Sequence, residues 1–211
     1  MSFARSAPLI LALVGLFVPA TPRGATTPDP PLASKQQPSS LAGQLLVAAP
    51  SMGDPRFAQT VVLMVRHDAN GAFGLVINRP LGERPAADLL HALGEPRGDA
   101  KGMLRIFAGG PVQPELGFVI HSLDYRRPET FPIGDRMGMT ANRQIFRDIA
   151  VGRGPQKTLV AFGYAGWAPQ QLEGEMAAGA WFTAPADSAI VFDEDRDRVW
   201  ERAMERRTRD L

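Results

Sequence analysis

The chain has 211 residues, of which 45% are hydrophobic and 21% charged, a composition typical of globular proteins rather than of disordered chains. It contains no cysteine, which excludes disulfides, thiolate chemistry and cysteine-ligated zinc. Of its 23 basic and 22 acidic residues, three basic and one acidic lie in the first 40 positions, leaving 20 basic and 21 acidic residues. This balance excludes a strongly basic domain, so we expect no non-specific nucleic-acid binding.

The N-terminal segment has the order of a signal peptide. Arg5 is followed by an apolar run at residues 9–18 and then by small and helix-breaking residues up to Pro22. A helix of about ten residues spans roughly 15 Å, half of a hydrocarbon core of about 30 Å, so no stable transmembrane anchor is expected. We predict that residues 1–20 direct export to the periplasm and are cleaved before Thr21. If the gene start has instead been placed too early, the protein is cytoplasmic.

Residues 21–40 have the composition of a linker. They are rich in proline and serine and offer nothing apolar to bury, so we predict that they form no packed structure. Residues 41–211 are then left as one folded domain.

From Leu41 onward the apolar runs are short, rich in β-forming residues and separated by Gly, Pro and Asp turns. This pattern predicts a mixed or antiparallel sheet. The predicted strands are residues 44–49, 60–66, 74–78, 104–108, 118–121, 158–163 and 189–192. The second and third strands are joined by Asp68-Ala69-Asn70-Gly71, where Asn-Gly supplies the positive φ values of a tight hairpin.

Three helices are predicted. The first is capped by Thr140 and ends at Gly152, and the second begins at Pro169 and ends at Gly179. The third runs from about Glu194, with mixed charges on a solvated face. Because long helices do not alternate regularly with strands, the order favours an α+β fold over a doubly wound parallel sheet.

The histidines show no local pattern of metal ligands. His67, His91 and His121 match no ligand spacing, so no metal or cofactor site is predicted. His121, Ser122 and Asp124 suggest parts of a catalytic triad. Neighbouring residues of a strand point to opposite faces, however, so His121 and Ser122 could not share a hydrogen bond directly.

Two glycine-containing segments are candidates for close backbone approach. Gly152, Gly154 and Lys157 suggest a phosphate loop, but no helix is expected to follow them, and we interpret them as a helix end. Gly109 and Gly110 end a predicted strand, where they allow a tight turn or a close approach to another group.

The stretch richest in candidate residues, 163–175, runs from a strand through a turn of small residues into a helix. Gln171 and Glu175 lie one helical turn apart, so they could present an amide and a carboxylate on one side, next to Trp167. Two interpretations stay open. Either Trp167 fills the core, or it lines a recognition groove with the other two residues.

Several motifs together resemble the YqgE/AlgH family. They are residues 43–57 (GQLLVAAPSMGDPRF), 71–80 (GAFGLVINRP), 109–112 (GGPV), 118–122, 163–175 (GYAGWAPQQLEGE) and Ala180-Trp181. The resemblance covers residues 41–207 and implies a bulged, meandering sheet curled into a pseudo-barrel with helices packed around it. The family name is associated with transcriptional regulation, but no established reaction, cofactor or catalytic residue comes with it.

Two classes of function stay open. The first is a non-catalytic regulatory or interaction protein with an unknown protein partner or small-molecule ligand. The second is a small-substrate enzyme that uses acid/base chemistry from His67, Asn78, Arg79 and Glu175. The candidate binding residues are Trp167, Gln171, Glu175, His67, Asn78, Arg79, Gly109 and Gly110.

We expect export to leave a mature N-terminus at Thr21, because the residues before it have the order that signal peptidase recognises. Mass spectrometry of the protein from its native host measures this directly. An intact Met1, or a start near Leu41, would contradict the export prediction.

Overall fold

The computed structural model describes residues 40–208, so the predicted leader and all but the last residue of the predicted linker lie outside the described residues. The domain boundaries at residues 20 and 40 therefore stay predictions. Within residues 40–208 the chain forms ten strands and five α-helices. The strands are β1 (Gln44–Ala48), β2 (Val61–Asp68), β3 (Gly71–Val76), β4 (Pro80–Pro85), β5 (Met103–Ala108), β6 (Val112–Ser122), β7 (Phe131–Ile133), β8 (Met137–Thr140), β9 (Thr158–Trp167) and β10 (Trp181–Pro185). The helices are α1 (Ala86–Ala92), α2 (Arg143–Ala150), α3 (Gln171–Ala177), α4 (Ser188–Val191) and α5 (Val199–Glu205), and a 3-10 turn (Arg196–Arg198) precedes α5.

The strands join in one curled sheet. Their order is β10-β1-β2-β3-β9-β6-β8-β7, and the β4–β5 pair is attached to β9 through β5. The pairing of β5 with β9 is parallel, and the other pairs are antiparallel. Register shifts interrupt the pairs β2–β3, β4–β5 and β6–β9. The α+β class and the bulged, curled sheet are thus confirmed, with five α-helices instead of about three. None of the helices among residues 40–208 has the length and apolar character needed to cross a membrane.

Strand β9 bends at Gly163, which has a left-handed φ of 73°. Before the bend, residues 160–162 pair with β5 on one edge and with β6 on the other. After the bend, residues 165–167 pair with β3. Strand β9 thus pairs with β5 and β6 before the bend and with β3 after it. The bend therefore connects the part of the sheet that contains β3 with the part that contains β5 and β6.

The backbone between β5 and β6 crosses this bend in direct contact. Gly109 N donates to Phe162 O at 2.7 Å. A Cβ atom on Gly109 would lie within 3.0 Å of the Gly163 carbonyl oxygen, and one on Gly110 within 3.0 Å of the Tyr164 carbonyl group. Only glycine leaves room for this crossing, so the group that Gly109 and Gly110 approach closely is β9 itself.

Both faces of the sheet are covered. Successive residues of β2 alternate between two cores: Val61, Leu63 and Val65 face the side covered by α4 and α5, and Val62 and Met64 face the side covered by α3. A third core lies between the β5–β9–β6 region and helices α1 and α2. This double burial explains why the strands read as continuous apolar runs.

One predicted strand is wrong. Residues 189–192 were expected to be extended, but residues 188–191 form helix α4. Asp187 caps this helix, because its side chain accepts a hydrogen bond from Ala189 N at 2.8 Å. The local cap outweighs the β-forming composition of the segment.

The N-cap predicted for the first of the three helices, Thr140, is also wrong. Thr140 lies in β8 opposite Val119, and α2 begins after Asn142. Asn142 Oδ1 accepts from Gln144 N at 2.8 Å and so caps the helix instead. The adjacent β7–β8 hairpin was not predicted, since its strands have only three and four residues.

The predicted hairpin between β2 and β3 is confirmed. Asp68 pairs with Gly71 across the turn at Ala69 and Asn70. The positive φ belongs to Gly71, at 118°, and not to Asn70. The glycine therefore supplies the conformation that the turn requires.

We expect Gly110→Ala to destabilise the fold by about 3 kcal/mol or more, because the added methyl group enters the backbone crossing at β9. Chemical denaturation measures the change. Gly174→Ala is the matched control, since that glycine lies in α3 with open space around it and should gain up to about 1 kcal/mol. Equal stability of the Gly110 variant and wild type would contradict the proposed constraint.

Candidate functional site

The turn from β9 into α3 brings Trp167, Gln171 and Glu175 together. Glu175 Oε2 accepts hydrogen bonds from Trp167 Nε1 at 2.9 Å and from Trp181 Nε1 at 2.8 Å. Glu175 Oε1 accepts from Gln171 Nε2 at 2.9 Å. These four residues, which we call the Glu175 cluster, join a carboxylate, an amide and two indoles. Gln171 and Glu175 lie on one side of α3 next to Trp167, as the sequence predicts, and Trp181 of β10 was not predicted as a member.

The Glu175 cluster is mostly a packing unit. Trp167 is only 7% exposed, and its ring lies edge-on to Trp181 with centroids 6.0 Å apart. Both indoles belong to the core between the sheet and α3. Gln171 is the exposed member of the cluster. The burial favours the packing interpretation of Trp167, because a groove-lining indole would present its ring to solvent.

His67 is buried at the end of β2 and both ring nitrogens are engaged. Leu41 N donates to Nδ1 at 3.1 Å, so Nδ1 is the acceptor, and Nε2 carries the proton that faces Glu173 Oε1 at 2.9 Å. Hydrogen bonds from its own backbone N–H and from His67 lower the pKa of Glu173. The histidine thus links Leu41 to α3.

Asn78 and Arg79 hold the segment that precedes β2. Asn78 accepts from Val61 N at 2.9 Å and donates to Gln59 O at 2.9 Å. Arg79 donates to Ala58 O and to the Thr60 hydroxyl. Gln59 has a left-handed φ of 52°, which is strained for a residue with a Cβ, and these hydrogen bonds hold it there.

The four residues of the acid/base hypothesis therefore enter three separate hydrogen-bonding groups. His67 joins Glu173, Glu175 joins the two indoles, and Asn78 and Arg79 brace one loop. Each donates to or accepts from other groups of the same chain. Among residues 40–208, none of these four side chains forms a hydrogen bond to another of the four.

A buried polar network lies elsewhere, between β6 and α2, and was not predicted from the sequence. Asp148 is 2% exposed and accepts from Tyr125 Oη at 2.8 Å, Arg127 Nη2 at 2.6 Å and Gln144 Nε2 at 2.9 Å. Burial acts to raise the pKa of Asp148, but the hydrogen bonds from Gln144, Tyr125 and Arg127 outweigh it and the pKa is lowered. The only sequence signal was the four-residue spacing of Gln144 and Asp148 in one helix.

His121 lies beside this network. Its Nε2 is 3.0 Å from the Thr140 hydroxyl, which is 3.0 Å from the Thr130 hydroxyl. Burial lowers the pKa of His121 against the opposing effect of its hydrogen bond to Ser122 O, and so favours the neutral ring. The Ser122 hydroxyl donates to Asp124 and not to the imidazole. His121 Nδ1 instead lies 2.9 Å from the Ser122 backbone carbonyl oxygen, so the expectation that the two residues share no direct hydrogen bond holds for the hydroxyl and is wrong for the backbone.

A depression of about 160 Å³ opens next to the network and is lined by Tyr125, Arg127, Thr140 and Gln144 among others. It has room for a few water molecules, and less than the roughly 300 Å³ of an ordinary small-molecule pocket. The network therefore serves mainly to join α2 to the sheet.

Comparison with known proteins identifies the family. The model of the AlgH-like family matches residues 45–211. The chain belongs to the AlgH-like family. A UPF0301 protein of Methylococcus capsulatus is 42% identical over 163 residues, which cover 77% of this chain and 89% of the relative. A UPF0301 protein of Jannaschia sp. is 42% identical over 167 residues, covering 78% of this chain and 87% of the relative.

Two solved structures share the fold. The solution structure of the AlgH protein from Pseudomonas aeruginosa aligns with a TM-score of 0.68 and 40% identity, covering 82% of this chain and 92% of that one. A crystal structure of a protein from Corynebacterium diphtheriae aligns with a TM-score of 0.62 and covers 79% of this chain and 86% of that one. At 24% identity, the second match shows the fold alone.

In this AlgH-like chain, Trp167→Ala should cost about 3 to 5 kcal/mol, because it removes a large buried side chain from the core beside α3. Trp167→Phe keeps most of the apolar ring but loses the N–H to Glu175, and should cost less, about 1 to 2 kcal/mol. Thermal and chemical unfolding of the two variants separate packing from hydrogen bonding. An unfolding midpoint for Trp167→Ala close to that of wild type would favour the groove interpretation.

Proposed function

We propose that this AlgH-like protein acts by binding rather than by catalysis, as a regulatory or protein-interaction protein. The observation that carries the proposal is the engagement of the acid/base candidates. His67 has a partner on each ring nitrogen, and the Glu175 carboxylate is occupied by two indoles and an amide. A general base needs a free lone pair directed at its substrate. His67 offers none without losing its hydrogen bond from Leu41 N. Glu175 Oε2 already accepts from two indoles, so the carboxylate keeps acceptor capacity only on Oε1, beside Gln171.

The enzyme alternative asks for a larger rearrangement. For His67 to act as a base, its ring would have to give up the hydrogen bond from Leu41 N. For Glu175 Oε2 to act as a base, the carboxylate would have to leave Trp167 and Trp181. Each buried indole N–H left without an acceptor costs about 1 to 3 kcal/mol. A binding role requires none of this, because the same contacts stay intact and only the exposed surface is used.

A regulatory role is also what the family resemblance implies. The compartment decides which partners the protein can meet: periplasmic ones if the leader is translated and cleaved, and cytoplasmic ones otherwise. The exposed Gln171 at the edge of the Glu175 cluster is the member of the candidate set that a partner can reach without displacing the core.

The experiment has two arms and uses the full-length protein. In the first, the tagged chain is exposed to an extract of its native host, and each captured protein is purified and rebound in a defined mixture. In the second, the untagged chain is incubated with a metabolite extract, and mass spectrometry follows the consumption of every detectable compound. We expect a saturable complex in the first arm and no consumption in the second.

Two variants make the second arm decisive. His67→Gln and Glu175→Gln remove the acid/base groups. The glutamine side chain is similar in size to the residue it replaces and can still form hydrogen bonds through its amide. Consumption of a compound by wild type that disappears in both variants, with unfolding midpoints near that of wild type, would overturn the proposal and support the acid/base enzyme. Consumption that persists in both variants would overturn the non-catalytic role without supporting these residues.

A further inference from the structure

A cavity of about 470 Å³ lies between the β4–β5 pair, the start of β9 and the segment that follows α4. Three cationic residues line it, Arg105, Lys157 and Arg196, together with the acidic residues Glu83 and Glu194. None of the residues singled out as binding candidates contributes to this cavity. Its volume is within the range of roughly 300 to 1,000 Å³ found for small-molecule pockets.

Arg196 is the unusual member of this lining, because it is a buried cation to which the described part of the chain offers no carboxylate partner. The residue is 9% exposed, and Nη1 donates to Val191 O at 2.8 Å and to Ile77 O at 3.4 Å. Its Cζ atom lies 4.8 Å from the centroid of the Phe107 ring. Among residues 40–208, no carboxylate oxygen lies within 4.0 Å of this guanidinium, and its buried Nε has no hydrogen-bond partner.

Buried guanidinium groups are normally paired with an anion, since removing a charge from water costs several kcal/mol. Two backbone carbonyls and an aromatic face offset this cost only in part. Burial and the nearby charge of Arg105 lower the pKa of Arg196 to about 10, and Glu194 partly opposes them. The group remains a cation at neutral pH, so the cavity holds a positive charge that residues 40–208 compensate incompletely.

The other charges at the cavity are more loosely held. Arg105 Nη2 is 3.8 Å from Glu83 Oε1, and both side chains are about half exposed. Such a surface pair contributes little. Arg105 Nη1 also donates to the Glu194 backbone carbonyl at 3.1 Å, so Arg105 exchanges these two contacts when it turns toward a ligand. The Lys157 ammonium forms no ion pair within the described part of the chain. Three cationic residues thus line one cavity, and neither Arg105 nor Lys157 has a strong ion pair in the described part of the chain.

We propose that this cavity binds a small organic oxyanion, either a carboxylate or a phosphate monoester, held by Arg196 and Arg105 with Lys157 beside it. Guanidinium groups match the oxygen geometry of both kinds of anion. The rest of the lining includes Leu104, Phe192 and Met103, which is 54% exposed, and so favours an anion with an apolar substituent. The inference names a ligand class for the binding role proposed above and rests on that role for its biological meaning.

The test titrates full-length, nitrogen-15-labelled protein with phenyl phosphate and, separately, with hexanoate at constant ionic strength. The Nε–H signal of Arg196 and the amide signals of Lys157 and Glu194 report binding at the cavity. We expect saturable shifts with at least one probe, and the stronger probe identifies the preferred oxyanion. Arg105→Gln and Lys157→Gln should each weaken binding by about tenfold, the effect of losing one charged hydrogen bond.

Arg66→Gln is the charge-matched control. Arg66 is exposed and pairs with Phe73, near the opposite end of β9 from the cavity, so its loss should leave the affinity unchanged. Shifts that do not saturate with either probe would overturn the proposal. So would equal affinity of the two cavity variants and wild type, or an equal loss in the Arg66 control, which indicates non-specific attraction.

The same titration separates this inference from the proposed function. Release of phenol from phenyl phosphate, measured in the sample, would contradict the non-catalytic role. If Arg105→Gln abolished that release, the oxyanion site would still be supported. An absence of probe binding together with a reconstituted protein complex would overturn the site and leave the interaction role standing.

Discussion

Two backbone segments cross at contact distance where Gly109 and Gly110 pass the bend of β9, and this crossing determines how the remaining elements are arranged. Strands β3 and β5 share one edge of β9 because the strand changes direction between their pairing residues. The Val76 N–H donates to Gly109 O at 2.8 Å and joins the two parts of the sheet at the same point. Side chains at Gly109 and Gly110 would force the strands apart. The helices packed on the two parts of the sheet would then no longer be held in a fixed relative position.

The polar side chains near the crossing and in the flanking turns serve mostly as internal connectors. Glu175 joins two indoles, His67 joins Leu41 to α3, and Asp148 joins α2 to the segment after β6. A sheet with bends and bulges leaves backbone and side-chain groups that a regular ladder would have paired. Much of the conspicuous chemistry of this sequence is used for that purpose.

Elements that depend on residues close together in the sequence were predicted correctly more often than elements that depend on distant residues. The apolar runs located the strands buried on both faces, and Asp68 to Gly71 located a hairpin, because these depend on neighbouring residues. β4 was missed because its six residues are exposed and include two prolines, and α4 was misassigned because the Asp187 cap was not weighed against composition. Local signals therefore gave the fold class but not every element.

The candidate sites show a similar division. The spacing of Gln171 and Glu175 correctly placed them on one side of a helix, but the sequence could not show that Trp181 completes the cluster from the next strand. Arg196 was read as part of a solvated, mixed-charge helix. The 3-10 turn at residues 196–198 instead places it inside the fold, beside residues more than 80 positions earlier in the chain, Ile77 and Phe107. Contacts between residues so far apart in the chain leave no periodic pattern in the sequence from which they could be predicted.

The position of β1 between β2 and β10 has a consequence for the order in which the protein can be completed. One edge of β1 pairs with a strand that follows soon after it, but the other waits for residues 181–185, and Trp200 Nε1 later donates to Ala48 O at 2.8 Å. During synthesis the apolar β1 therefore keeps an unpaired edge until nearly the whole domain has emerged. Pairings so distant along the chain form slowly, and an edge of this kind can take up a strand from another molecule. A nascent or shortened chain is thus the form of this protein most exposed to aggregation.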